Sequence, residues 1–363
     1  MKQGRTVRIK RLRQRLKHTN AQCLVIVNPA NVSYITGFMG HDSWAVVTAK
    51  QVYLLTDSRY IEQAQKECTG CTILERSGSL EQLVAARLNR IGDVQAITVE
   101  DTIPISVFSQ LKRKLRIPVK PITGCVEVLR RVKDKQEIGT IKKAVKIAKD
   151  ALQTTLPLIK PGRSEAEVAG LLDLHIRKLD ATNAFSTIVA FGANASRPHH
   201  HPGTRKLRHN DSILIDFGAR YQGYCSDITR CFSIGRSTRQ FDKAYQVVQD
   251  ALAAALNQIR PGVLLSEVDE VARSVIRESG FPVYGHGSGH GLGLDIHESP
   301  FLKPDARDSL ASGQVITIEP GIYIPGKLGI RLEEDVLVTD KGKLLLTANC
   351  PHVRRLEDFG VDV

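Results

Sequence analysis

Four carboxylates and a set of histidines between Ser212 and Glu333 are the residues best placed to do chemistry. Asp216 ends the run Ser-Ile-Leu-Ile-Asp, and Asp227 lies in Tyr-Cys-Ser-Asp-Ile-Thr. Glu319 ends Val-Ile-Thr-Ile-Glu, and Glu333 follows Gly-Ile-Arg-Leu. Between them runs Gly-His286-Gly-Ser-Gly-His290-Gly-Leu-Gly-Leu-Asp-Ile-His297-Glu298. Of 11 histidines, five fall at His199–His201, His286 and His290, with His297 close by. The strand-forming residues around each acidic pair, split by a Gly-containing turn, predict two β-hairpins. If the first turns at Tyr221-Gln222, Asp216 faces Asp227; a second turn centred on Gly326 sets Glu319 opposite Glu333. Directly opposed residues have Cβ atoms about 4.5–5.5 Å apart. Like charges at that spacing on apolar strands are destabilising unless a cation neutralises them.

The elements that must position these residues show a duplication. At an offset of 100 residues, Lys143-Ala144 matches Lys243-Ala244, Asp150-Ala-Leu152 matches Asp250-Ala-Leu252, and Pro161-Gly162 matches Pro261-Gly262. With Leu156, Ile159, Glu167-Val168 and Ile176-Arg177 there are 13 identities in 35 positions. Each copy reads as a helix, a Pro-Gly break and a second helix. Each precedes a hairpin whose first strand carries an acid-x-Gly triplet, Asp216-Phe-Gly218 or Glu319-Pro-Gly321. A pseudo-twofold axis would bring both hairpins into one sheet with helices outside, and four carboxylates around one point. That oxygen-rich set suits Mn²⁺, with Co²⁺ or Zn²⁺ as alternatives, better than a structural zinc site built on cysteines. Four negative charges call for two divalent cations, and two-metal sites activate water for hydrolysis.

The N-terminal third alternates strand-like and helix-like pieces. Cys23–Val27, Ala45–Val47, Val52–Leu55 and Ala96–Val99 read as strands, and Ile61–Glu67 and Leu80–Asn89 as helices. Trp44, the only tryptophan, falls in a predicted loop. Asp134 and Glu137 form a capping box before an amphipathic run, which places a boundary near Val132. The expected class is α/β, with domains at 1–132 and 133–363.

Composition excludes several classes. The 363 residues are 42% hydrophobic and 25% charged, which fits a folded chain. No run approaches the roughly 18 apolar residues of a membrane span, so no membrane partner is expected. Neither a secretory leader nor a disulfide framework is visible among seven scattered cysteines, so a cytoplasmic location is the expectation. The lone Cys68-Thr-Gly-Cys71 reads as ordinary reduced thiols. The net charge of +13 raises nucleic acid as a partner. However, much of it lies in residues 2–17, where Ile9, Leu12 and Leu16 mark an amphipathic helix with a solvated basic face. No nucleic-acid motif accompanies it, and none is expected to bind specifically.

Asn28-Pro-Ala-Asn-Val-Ser-Tyr-Ile-Thr-Gly and Leu54-Leu-Thr-Asp-Ser-Arg-Tyr resemble the N-terminal domain of the creatinase and aminopeptidase P group. Over nearly its whole length the chain resembles the M24 pita-bread metallopeptidases, in particular their Xaa-Pro branch of aminopeptidase P and prolidase. The resemblance implies a creatinase-like α/β domain followed by a duplicated catalytic domain. It implies that Asp216, Asp227, His290, Glu319 and Glu333 are the five metal ligands. Asp216 and Asp227 would bind one ion, His290 and Glu319 the other, with Asp227 and Glu333 bridging. His199 matches the substrate-site histidine, and His297 the one that stabilises the tetrahedral intermediate. His286 and Arg331 match groups beside the metals and the substrate, and Glu319 is placed to move a proton. His200 and His201 replace the commoner small residues; they could narrow the pocket or lie exposed. The implied substrates are proline-containing peptides, and the implied assembly is a homodimer in which the Trp44 region can reach the partner's site. Three alternatives remain. Creatinase is an amidinohydrolase that works without metal, and the intact ligand set argues against it. Methionine aminopeptidase lacks this kind of N-terminal domain. A non-catalytic scaffold binding protein or nucleic acid would usually have lost ligands.

Overall fold

The computed structural model describes residues 2–19, 21–91, 96–351 and 354–359. The chain divides by its internal contacts into residues 1–130 and 131–363.

In the first unit, helix α1 (Lys2–His18) precedes β1 (Cys23–Ile26) and α2 (Pro29–Thr36). Then come β2 (Trp44–Thr48), β3 (Val52–Thr56), α3 (Ile61–Glu67), β4 (Thr72–Glu75), α4 (Leu80–Leu88), β5 (Ile97–Glu100), α5 (Ile105–Lys114), β6 (Val119–Ile122) and α6 (Glu127–Arg130). The strands form one mixed sheet in the order β4-β3-β2-β1-β5-β6. Helix α2, which periodicity does not reveal, starts because the Asn28 side chain accepts from the amides of Ala30 and Asn31 while Pro29 takes the first turn. Trp44 opens strand β2 rather than lying in a loop, half-buried. The basic face of α1 is only partly solvated: Leu12 and Leu16 are buried as expected, but so is Arg5. Arg5 donates to the Thr36 carbonyl, Arg13 to that of Thr48, and the Arg8 guanidinium lies over Tyr34. These three charges are bound within the unit.

The second unit opens with α7 (Lys135–Thr155), whose capping box of Asp134 and Glu137 is formed, and α8 (Glu165–Lys178). The first acidic region comprises β7 (Thr182–Asn183), β8 (Ile188–Phe191), β9 (Ser212–Phe217), β10 (Ala219–Tyr221), β11 (Tyr224–Cys225) and β12 (Ile228–Ser233). Helices α9 (Arg239–Gln258) and α10 (Leu265–Glu278) repeat α7 and α8. They lead to β13 (Gly289–Gly291), β14 (Glu298–Leu302), β15 (Val315–Ile318), β16 (Gly321–Ile324), β17 (Leu328–Arg331), β18 (Glu334–Thr339) and β19 (Gly342–Leu345).

The duplication holds at the level of single hydrogen bonds. The Gly162 amide donates to the Leu207 carbonyl at 2.9 Å, and that of Gly262 to Leu310 at the same distance. Both glycines have φ near 90°, a conformation that glycine adopts readily. The hairpins do not merge into one sheet: β12-β9-β8 and β14-β13-β15-β18-β19 are separate ladders, with β16-β17 apart. Alternation on β9 explains what it positions. Ile213, Ile215 and Phe217 pack in one core with Leu152, Val168 and Leu172 of α7 and α8. Leu214 faces the other way, into the core of α9 and α10. Asp216 shares that second face.

Candidate metal centre

Asp216 sits near the end of β9, but not opposite Asp227. The turn is made by Gln222 and Gly223, with φ of 46° and 83°, the two-residue hairpin geometry with left-handed central residues. It lies one residue later than the sequence suggests, so Asp216 pairs with Thr229 of β12. Asp227 precedes β12 by one residue and remains on the same face, because a two-residue shift preserves side-chain parity. In the second hairpin Ile318 pairs with Glu334 and Gly321 with Arg331, a register that sets Glu319 against Glu333. Both have left the ladder. The Glu319 amide donates to the Ser288 carbonyl at 2.9 Å, and that of Glu333 to the Thr229 carbonyl at 3.3 Å.

The five side chains converge. Asp216, Asp227 and Glu333 form one group with ligand atoms mutually within 4.8 Å; His290, Glu319 and Glu333 form a second. Asp227, His290 and His297 form a third. His290 Nε2 is 3.3 Å from Glu319 Oε1 and 3.6 Å from Asp227 Oδ2. Its Nδ1 is 3.0 Å from the Gly291 carbonyl, which fixes the proton there and leaves Nε2 with a lone pair. Close approach requires glycine at 289, where a Cβ would fall 2.0 Å from the Thr317 carbonyl oxygen.

The charges are not balanced by protein alone. Burial, then repulsion from the other carboxylates, pushes Asp227 and Glu333 well above the usual carboxylate range. Burial also raises Glu319, against the opposing pull of His286 and Arg331. Burial lowers His290, favouring the neutral ligand form. Among the described residues Arg331 is the cation that reaches the group, donating to Asp216 Oδ2 at 2.6 Å. The other oxygen of Asp216 is buried with no hydrogen-bond partner among the described residues. An unsatisfied carboxylate oxygen beside three other acids and an imidazole lone pair fits divalent cations bound through oxygen and nitrogen.

The group forms the floor of a cavity of about 690 Å³. His199, His201, His286 and His297 line it, with Phe185, Ile188, Ile296, Phe301 and Leu302 as an apolar wall. The His297 ring packs edge-on against His290, with centroids 4.3 Å apart. Partial burial and then the neighbouring His290 lower its pKa. His200 also lines the cavity and is not exposed. It is buried with Nε2 2.8 Å from Glu165.

The profile of metallopeptidase family M24 matches residues 139–340, and that of the creatinase/prolidase N-terminal domain matches residues 8–132. The chain belongs to metallopeptidase family M24. The uncharacterized peptidase YqhT of Bacillus subtilis is 36% identical, over 94% of this chain and 98% of that one. The structure of a Xaa-Pro dipeptidase from Bacillus anthracis superposes with TM-score 0.93 at 34% identity, covering 97% of this chain and 99% of that one. That of an X-Pro aminopeptidase from Thermotoga maritima gives 0.87 at 34% identity, over 94% and 99%.

The M24 site includes residues that sequence reasoning missed. Tyr323 accepts from Arg331 Nη1 at 2.8 Å and lies 3.1 Å from His286 Nε2. His286 Nδ1 faces the Gly287 carbonyl, so the tyrosine hydroxyl donates to Nε2. Burial pushes the Tyr323 phenol up to about 12, so it keeps its proton. Its signal was alternation with Gly321 on an apolar strand. Thr229 accepts from Arg331 Nε at 3.0 Å and donates to Glu333 Oε2 at 2.6 Å. Asp269 of α10, fully buried, accepts from the Ser288 amide and hydroxyl and from Arg273. Arg273 in turn donates to the Tyr284 and His286 carbonyls. The repeat held the clue: the position matching Asp269 is Ala169.

Proposed function

We propose that this M24 peptidase hydrolyses the peptide bond between an N-terminal residue and proline, as a Xaa-Pro dipeptidase or aminopeptidase. The observation that carries the reading is the convergence of Asp216, Asp227, His290, Glu319 and Glu333 on the floor of the histidine-lined cavity. These five would hold two divalent cations, with Mn²⁺ favoured by four carboxylates to one imidazole. When bound, the cations supply a water acidic enough to attack at neutral pH and polarise the scissile carbonyl.

The remaining work falls to side chains. Glu319 accepts the proton released on attack and passes it to the departing proline nitrogen. His297, kept neutral by its surroundings, donates a hydrogen bond to the developing oxyanion. His199 contacts the substrate from the cavity mouth. Tyr323 and Arg331 hold His286 and Asp216 in place. The apolar wall offers a surface for the proline ring. The chain is proposed to work as a homodimer in the cytoplasm; seven unpaired cysteines agree with a reducing compartment.

Xaa-Pro dipeptides and Xaa-Pro-Yaa tripeptides, assayed with Mn²⁺, Co²⁺ and Zn²⁺ alongside alanine-for-proline controls, test the reading. Cleavage of the proline peptides and poor turnover of the controls is expected. Equal rates on both would move the assignment to a general aminopeptidase. Elemental analysis finding no metal would favour a binding scaffold, and one light-scattering measurement gives the assembly.

A further inference from the structure

His199 lies on the segment between β8 and β9, which has little regular structure apart from a short turn of 3-10 helix at Gly192–Ser196. A single carboxylate gathers that segment. Glu165, the first residue of α8, is fully buried. Its Oε1 accepts from the Phe191 amide at 2.9 Å and the Asn194 side chain at 2.8 Å. Its Oε2 is 2.8 Å from His200 Nε2 and accepts from the Gly203 amide at 3.1 Å. All four partners lie between residues 191 and 203, on both sides of His199. Burial alone would raise the Glu165 carboxyl, but the His200, Asn194 and amide bonds hold it below its ordinary value.

The second half of the molecule shows that the fold does not need this acid. There the matching residue is Leu265, buried in the apolar core. The backbone bond is the same in both copies: the Glu165 amide donates to the Arg205 carbonyl, and the Leu265 amide to that of Asp308, each at 3.0 Å. The carboxylate is an addition confined to the first half, and the segment it gathers carries His199 to the cavity.

We propose that Glu165 and His200 are positioning residues, a clasp that fixes the 191–203 segment so that His199 meets the substrate. The role of His199 rests on the peptidase reading above; the clasp itself does not. The test uses the full-length protein and the variants His200→Ala, His200→Gln and Glu165→Leu, the last copying the second half. A Xaa-Pro peptide is the kinetic probe, and amide hydrogen exchange over residues 192–203 is the second readout. In His200→Ala and Glu165→Leu, kcat/KM should fall about tenfold, mainly through KM, with metal content unchanged. Exchange over the segment should rise by about tenfold or more. Glutamine at 200, whose side-chain N–H can reach the place of imidazole Nε2, should restore both to within about threefold. Native KM and native exchange in both the alanine and leucine variants would overturn the clasp. So would a loss in which glutamine is no better than alanine. If the unaltered protein cleaves no Xaa-Pro bond, the peptidase reading fails and the exchange data alone decide the clasp. If Glu165→Leu does not fold, the two His200 variants still decide it.

Discussion

The two halves of the 131–363 unit share helices, glycine breaks and hairpins, yet they hold their carboxylates differently. In the first half Asp216 is part of a strand, and one of its oxygens is bound by Arg331. In the second half Glu319 stands just beyond a strand, mostly buried, with His290 at 3.3 Å. Duplication supplied equivalent backbone positions, and side-chain length and neighbours then divided the labour. The first-half acid is anchored by a protein cation. The second-half acid lines the cavity beside His290, at the place of the proposed proton transfer. The same divergence marks supporting residues: Glu165 stands against Leu265, and Asp269 against Ala169.

Removing metal should erase the contrast altogether. EDTA treatment should abolish Xaa-Pro hydrolysis, since on the proposed ligand set both halves serve the same cations, and added Mn²⁺ should restore it. Persistent turnover in protein shown to be metal-free would break the comparison at its base. Next, Glu319→Gln should lower kcat by about three orders of magnitude with a small change in KM and a folded protein. Near-native kcat at full metal occupancy would remove the proton-transfer role.

The first-half counterpart should fail in another way. Asp216→Asn leaves the buried Arg331 guanidinium without its ionic partner, at about 3–5 kcal/mol of stability, read as a drop in the denaturant midpoint. An Asp216→Asn protein as stable as the native one would show that the anchor is not electrostatic. Asp269→Ala, which makes the second half resemble the first, should destabilise by a similar mechanism but a smaller amount, about 2 kcal/mol. It should also loosen the Tyr284–Ser288 turn.

Proton linkage gives a further test. In the metal-free protein Asp227, Glu319 and Glu333 have raised pKa values, so the folded state binds more protons than the unfolded one. Their penalty is absent below the ordinary carboxylate range of about 4 and grows as pH rises through the elevated values. Metal-free protein should therefore lose stability on going from mildly acidic to neutral pH, whereas the metal-loaded form should not. Parallel curves for the two would refute the repulsion argument. The smallest effect is expected on the outer helices, where Lys146 pairs with Asp150 and the matching Gln246 bonds Asp250. Lys146→Gln should change stability by less than about 0.5 kcal/mol.

Much of this was legible in the sequence because it is local. Strand composition, acid-x-Gly triplets and the 100-residue repeat announce the hairpins and the convergence of acids. The exact facing of Asp216 was missed because a two-residue turn with left-handed Gln222 and Gly223 shifts the ladder, and glutamine is not an obvious residue for that conformation. Thr229, Tyr323 and Asp269 were missed because each acts on a partner distant in sequence or through another side chain. The anchoring of His200 was not legible for the same reason, since its partner Glu165 lies 35 residues away. The burial of Arg5 could not be inferred from a helix whose charge pattern reads as solvated.

The Thr229 contact also sets an order in time. Its hydroxyl and carbonyl meet Glu333 across a separation of 104 residues. A ribosome adding about 5–20 residues per second makes Asp227 on the order of ten seconds before Glu333. During that interval the nascent chain gains His290 and then Glu319, and the proposed ligand set stays one short until Glu333 is made. On the proposed ligand set, metal capture is thus a late event of biosynthesis, and a chain truncated before Glu333 would have its helices made and its cation site incomplete.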